Sequence, residues 1–119
     1  NIYVHSAVFN KVKEDILLKS NFFIQTSRFE GLPMGVLEAL SYGLPCILTE
    51  GTNFSNEVRD YSAGYKCQNS TRSIKNAILE SINEKNYIQK SKNAKILARS
   101  FNWSKISQKS FNLYKECLK

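Results

Sequence analysis

The sequence predicts an α/β fold: a parallel sheet with helices laid against it and a helical C-terminal tail. Three observations lead there. Short apolar runs take turns along the chain with stripes of apolar residues at helical spacing. The runs are apolar throughout rather than alternating, as in strands buried on both faces of a parallel sheet. The connections between them are short, which suits strand-helix-strand units. At 119 residues, 42% of them hydrophobic, the chain has the length of one domain, residues 1–119, and enough apolar side chains for a core. No apolar run approaches the roughly 18 residues of a membrane-spanning helix.

Ile2-Tyr3-Val4 is β-branched and aromatic and reads as a first strand. Val12, Ile16 and Leu17 follow at helical spacing. Phe22-Phe23-Ile24 is the second strand, flanked by Asn21 and by Gln25-Thr26-Ser27. From Met34 to Tyr42 the spacing predicts a helix with Val36, Leu37 and Leu40 on one side. Pro33 marks its entry and Gly43 its end, and Gly43 and Pro45 are assigned to structure. Pro45-Cys46-Ile47-Leu48-Thr49 is the next buried strand, Glu50-Gly51-Thr52-Asn53 the loop that leaves it, and Tyr65-Lys66-Cys67 a further, weaker strand. After the capping side chains Asn69-Ser70-Thr71, three helical stripes follow. They are Ile74, Ala77, Ile78 and Ile82; then Tyr87, Ala94, Ala98 and Phe101; then Ile106, Leu113, Tyr114 and Cys117. The N-terminus has no Met and no basic leader and begins at once in strand-like sequence, so the chain reads as part of something longer.

Composition narrows the chemistry. Cys46, Cys67 and Cys117 are odd in number and far apart, which fits neither a disulfide framework nor a CxxC site and suggests a reducing compartment. The single histidine, His5, is supplied with no nucleophile or second ligand and reads as structural, and Ser27 has no His and Asp arrangement. The formal charge of +7 is uneven: residues 1–50 hold four basic and five acidic residues, residues 85–119 nine basic and one acidic. Lys90, Lys92, Lys95, Arg99, Lys105 and Lys109 read first as a solvated helical face. They also allow an anionic membrane surface as partner. A basic nucleic-acid-binding α/β domain is the alternative from another class, but the chain shows no recognition helix, no aromatic ribonucleoprotein strand and no zinc site, so no nucleic acid is expected.

In parallel sheets ligands gather at the carboxyl ends of the strands, which directs attention to Gln25–Met34 and Thr49–Asn56. The informative stretch is Ser27-Arg28-Phe29-Glu30-Gly31-Leu32-Pro33-Met34-Gly35-Val36-Leu37-Glu38-Ala39-Leu40. It leaves a strand, turns and enters a helix. Gly31 and Gly35 allow close approach to the backbone, and the first N–H groups of a helix lack partners, so the turn suits an anion such as phosphate. Glu30 lies before the helix and Glu38 two turns inside it, so both can face one cleft at different depths. Carboxylates beside an anion site are unfavourable unless they meet neutral hydroxyl donors, and sugar and ribose hydroxyls are such donors.

These residues resemble the retaining glycosyltransferases of the GT-B fold, in the large family that includes sucrose synthase and bacterial mannosyltransferases. Glu30 and Glu38 stand at the spacing of that family's E-x7-E motif. Tyr42-Gly43-Leu44-Pro45-Cys46-Ile47, Glu57, Gly64 and Phe101-Asn102-Trp103 are similar to its further landmarks. The resemblance implies a Rossmann-like C-terminal half-domain lacking its first two strands, in which Ile2–Val4 would be an edge strand without its partners, so residues 1–20 would pack irregularly, swap between chains or pair in a non-family order. It implies glycosyl transfer with retention from a UDP- or GDP-sugar to an acceptor glycan or lipid-linked sugar, in cell-surface polysaccharide or glycolipid synthesis. Glu30 would act on donor-sugar hydroxyls as the catalytic carboxylate. Gly31, Leu32, Pro33, Met34 and Gly35 would serve sugar and diphosphate through the backbone, and Glu38 would hold the ribose.

Further expectations follow from the resemblance. The acceptor-binding domain and the basic diphosphate clamp are not in these residues, so the fragment alone should not turn over, and a non-catalytic subunit of a split transferase is a second alternative. Only Asp15 and Asp60 are aspartates, so there is no D-x-D metal motif; no metal and no cofactor are expected. The site would lie in the cytoplasm, at most peripheral to the membrane. Met34 would pack rather than touch ligand by its side chain, and Glu57 is either an exposed loop charge or an interface contact.

Overall fold

A computed structural model describes residues 1–118. In chain order it holds α1 (Asn10–Lys19), β1 (Phe23–Gln25), α2 (Met34–Ser41), β2 (Cys46–Thr49), α3 (Ser55–Asp60), β3 (Gly64–Cys67), α4 (Thr71–Ile82), α5 (Tyr87–Ser100) and α6 (Trp103–Cys117). The three strands form one parallel sheet in the order β1-β2-β3, with Phe23 opposite Cys46 and Cys46 opposite Gly64.

The uninterrupted apolar run of β2 is explained by two cores, one on each face of the sheet. Cys46 and Leu48 point to one face, where Val36, Ala39 and Leu40 of α2, Val58 of α3 and Ala94 and Leu97 of α5 close over them. Ile47 points to the other and packs with Tyr65, Cys67 and Ala77, flanked by Phe22, Ile74 and Ile78. Leu40, Leu48 and Leu97 are fully buried, and each such side chain contributes roughly 1.5–3 kcal/mol. Helix α2 stops where Gly43 takes φ +80. The Gly43 amide donates to Leu40 O and the Leu44 amide to Ala39 O, which closes the last turn and turns the buried Leu44 back onto the core. A second tie fixes the α4–α5 loop to β3. The Tyr65 hydroxyl donates to Glu84 Oε2 at 2.6 Å, and the Asn86 amide donates to Glu84 Oε1 at 2.7 Å. The Tyr65 hydroxyl, the Asn86 amide and the nearby Lys90 hold the Glu84 carboxyl below the ordinary carboxylate range, while burial pushes the Tyr65 phenol upward.

The structure departs from the sequence reading in several places. Ile2-Tyr3-Val4 forms no strand. Ile2 is 93% and Val4 92% exposed, and a β-prone run with no strand on either side leaves its amides to water. Irregular packing holds for residues 1–9, whereas α1 forms and buries Leu17. The loop read as running through Thr49–Asn56 ends early, because Ser55–Asp60 is a short helix, with Phe54 beneath it stacked edge-on against Phe101 at 4.8 Å. Lys90 does not belong to a solvated face: it pairs with Glu84 at 3.4 Å and lies over the Tyr65 ring. The helical tail is present, and no residue of α6 is buried. Among the described residues no helix is long and apolar enough to cross a membrane.

Candidate functional site

The carboxyl ends of β1 and β2 lie side by side, and the turn from β1 into α2 carries Glu30, with Glu38 following inside α2. Glu30 is half-buried. Its Oε1 accepts hydrogen bonds from Gln25 Nε2 at 2.9 Å and Ser27 Oγ at 3.0 Å. Gln25 ends the strand and Ser27 follows two residues on, so both side chains project to the same side. The other carboxylate oxygen, Oε2, accepts no hydrogen bond from the described residues, and a charged acceptor with one oxygen committed and one open is poised for an external hydroxyl.

Helix α2 begins without a capping side chain at Pro33. The Val36 and Leu37 amides both donate to Pro33 O, at 3.0 and 3.2 Å. The Met34 and Gly35 amides therefore have no partner inside the helix, and both residues are exposed. Leu32 is half-exposed, and a Cβ added at Gly31 would meet nothing within 4 Å. Only Pro33 of the five predicted backbone residues is buried. The Met34 side chain is 62% exposed, which corrects the expectation that it packs: on the first turn, next to Gly35, it has no neighbour to fill against.

Glu38 stands one turn into α2, not two, and meets a partner the sequence did not reveal. Lys13 of α1 lies 2.8 Å from its Oε1 and donates to its Oε2 at 3.1 Å. Both side chains are near 40% exposed (42% and 38%), so the pair contributes about 0.2–1 kcal/mol and can open readily. Lys13 and Glu38 line a hollow of ≈ 280 Å³ with Ile16, Phe23, Gly35 and Leu44. Gly35 also connects the two carboxylates: it borders this hollow, and a Cβ there would lie 3.9 Å from Oε1 of Gln25, whose amide nitrogen holds Glu30. The arrangement offers an acceptor oxygen and two free main-chain donors at the strand end, with a second carboxylate farther along α2 in a hollow that Phe23 and Leu44 also line.

The turn is anchored from β2. Thr49 Oγ1 donates to Ser27 O at 2.6 Å, Asn69 Nδ2 to the same carbonyl at 3.2 Å, and Thr52 Oγ1 to Gln25 O at 3.2 Å. A Cβ added at Gly51 would come within 2.8 Å of Ser27 O and closer to the Arg28 carbonyl. None of these contacts was foreseen, although both loops were singled out. The visible signal was the polar pair Gln25 and Ser27 at strand spacing ahead of Glu30. Glu57, read as either an exposed loop charge or an interface contact, is half-buried in the first turn of α3 and forms no ion pair among the described residues. His5 is exposed in the N-terminal stretch. Among the described residues, no three His, Cys, Asp or Glu side chains gather closely enough to hold a metal ion.

A family model described as glycosyl transferases group 1 matches residues 1–100. The match takes in the whole sheet, the turn and both carboxylates. It stops before α6 and before the Phe101-Asn102-Trp103 landmark. No curated protein and no solved structure matches the chain.

Proposed function

The chain belongs to the group 1 glycosyltransferases, and from that premise we propose that it is the donor-binding part of a retaining GT-B enzyme that takes a UDP- or GDP-sugar. The observation that carries the reading is the turn itself. An oxygen of Glu30 free of internal donors stands ahead of the unpartnered Met34 and Gly35 amides, and Glu38 lies in the adjoining hollow. Glu30 accepts from a sugar hydroxyl, the amides take the diphosphate with support from Gly31 to Gly35, and Glu38 accepts from the ribose.

The chemistry follows from where charge develops. As the glycosidic bond to the nucleotide breaks, the sugar becomes oxocarbenium-like and negative charge grows on the departing phosphate. Main-chain donors at a helix start, with the helix dipole of roughly half a charge behind them, stabilise that growing charge. The Glu30 carboxylate near the sugar stabilises the positive charge of the same transition state. Lys13 fits the scheme as a counter-charge. Paired with Glu38, it lowers the repulsion an incoming diphosphate would meet from two nearby carboxylates.

The test is calorimetric titration of the intact protein with UDP, GDP, UDP-glucose and GDP-mannose, repeated with Glu30→Gln and Glu38→Gln. For whichever nucleotide binds, Glu30→Gln should abolish the preference for sugar nucleotide over bare nucleotide, and Glu38→Gln should weaken both. Wild-type affinities in both variants would overturn the reading.

A further inference from the structure

The two side chains that hold Glu30 belong to the same two residues whose carbonyls are held from β2. Gln25 and Ser27 each work on both sides. Their side chains donate to Glu30 Oε1, at 2.9 and 3.0 Å. Their carbonyls accept from Thr52 and Thr49, at 3.2 and 2.6 Å, and Ser27 O accepts a third bond from Asn69. Thr49 and Thr52 are both fully buried, and their hydroxyls lie 3.3 Å apart. A buried hydroxyl is costly unless it is bonded, and valine has the same shape without that cost. Two buried threonines at successive corners of one loop are therefore unexplained by packing alone.

We propose that Thr49 and Thr52 are positioning residues for glycosyl transfer, fixing Gln25 and Ser27 so that these commit Oε1 of Glu30 and leave Oε2 for the donor sugar. The inference rests on the donor-binding reading of Glu30. Freeing the Ser27 carbonyl from Thr49 lets the strand end move, and the Ser27 hydroxyl moves with it. The Glu30 carboxylate then rotates among positions of which one suits the sugar. Reacting groups displaced by about 1 Å can cost on the order of 100-fold in rate. The main diphosphate donors, the Met34 and Gly35 amides, and the ribose acceptor Glu38 sit on α2, to which neither threonine hydroxyl is bonded, so nucleotide binding should be spared.

The experiment uses the intact protein with the sugar nucleotide identified in the titrations above. It compares Thr49→Val, Thr49→Ser and Ser27→Ala by kcat, donor KM, inhibition by the bare nucleoside diphosphate and melting temperature. Thr49→Val should lower kcat at least 10-fold with diphosphate inhibition within 2-fold of wild type, and Thr49→Ser, which keeps the hydroxyl, should restore most of it. If Thr49→Val does not fold, Ser27→Ala removes one of the two donors to Oε1 from a half-buried position and should show the same split. Equal kcat in Thr49→Val and wild type, or diphosphate affinity falling in step with kcat, overturns the proposal. If Glu30→Gln is itself without effect, the donor-binding reading fails first; if Glu30→Gln is severe while Thr49→Val and Ser27→Ala are neutral, only the positioning role fails.

Discussion

Gly51→Ala should damage the site through the fold. The glycine has no positive φ, so the demand on it is space alone. A Cβ there would stand 2.8 Å from Ser27 O and 2.5 Å from the Arg28 carbonyl carbon, against ordinary contacts of 3.4–4 Å. These are backbone atoms, so the methyl group can fit only if the β1–α2 turn retreats by about 1 Å or the β2–α3 loop backs away from it. Overpacking of this kind costs typically 1–3 kcal/mol, which in a domain of this size lowers the melting temperature by roughly 4–20 °C. Either retreat stretches the 2.6 Å bond from Thr49 to Ser27 O, and a turn displaced by about 1 Å can lose on the order of 100-fold in kcat. The assay is a thermal melt together with donor turnover by the intact protein. Gly31→Ala serves as the control, because an alanine there meets nothing within 4 Å. It should melt as wild type, and any loss of donor affinity would report the approach of ligand to the backbone. A Gly51→Ala variant with wild-type melting and wild-type turnover would refute the claim that the two loops are locked together.

Three other outcomes are expected. Lys13→Met should leave the fold within about 1 kcal/mol, because the pair it removes is half-exposed, but should weaken nucleoside diphosphate binding several-fold by leaving Glu38 uncompensated; equal or tighter binding by calorimetry would contradict the counter-charge role. The Tyr65–Glu84 tie predicts two pH edges. Glu84 is depressed, so its contribution is present above the ordinary carboxyl value near 4.5 and lost as pH falls below it. Tyr65 is raised, so its contribution is present below 10.0 and lost as pH rises beyond it. Melting curves of Tyr65→Phe should lack the alkaline edge and show a smaller acid edge, and superimposable profiles would disprove the assignment. The exposed cations Lys92, Lys95 and Arg99 of α5 and Lys105 and Lys109 of α6 should draw the protein to vesicles containing about 30% anionic lipid and not to neutral ones, at ~1 kcal/mol for each side chain near the surface; equal flotation with both would remove the anionic partner.

What the sequence made legible follows from how local each cause is. The β2 run and the α2 punctuation depend on neighbours in sequence, and both were readable from Pro45–Thr49 and from Pro33 and Gly43. Helix α3 was not: six residues with Ser55 and Val58 as its buried positions present no stripe, and its anchor is Phe54 stacked on the distant Phe101. Ile2–Val4 carried the residue types of a strand, but those types describe a fit to a half-buried pleated surface that the described residues do not provide. The turn and its acidic residues could be read because a strand, a turn and a helix start lie in one stretch. Lys13 could not, since its pairing with Glu38 depends on how α1 crosses α2.

Gly51 shows why the second half of the site was harder to read than the first. In sequence, Glu50-Gly51-Thr52-Asn53 has the composition of any loop that leaves a strand, and the glycine suggests nothing beyond a bend. In the fold the loop acts as the backing of the neighbouring turn. Gly51 admits the Ser27–Arg28 backbone, Thr49 and Thr52 bond its carbonyls, and Asn69 adds a donor from beyond β3. Parallel strands make this possible, because they bring all their carboxyl ends to one edge, so the loop after β2 must run beside the loop after β1 whatever its composition. A polar residue at the carboxyl end of such a strand therefore has two available roles: to touch ligand or to hold the turn that does. Burial separates the two here. Glu30 and Glu38 retain solvent exposure and can meet a ligand, whereas Thr49 and Thr52, sealed from solvent and bonded to carbonyls of the adjacent strand end, could act on chemistry only through what they hold in place.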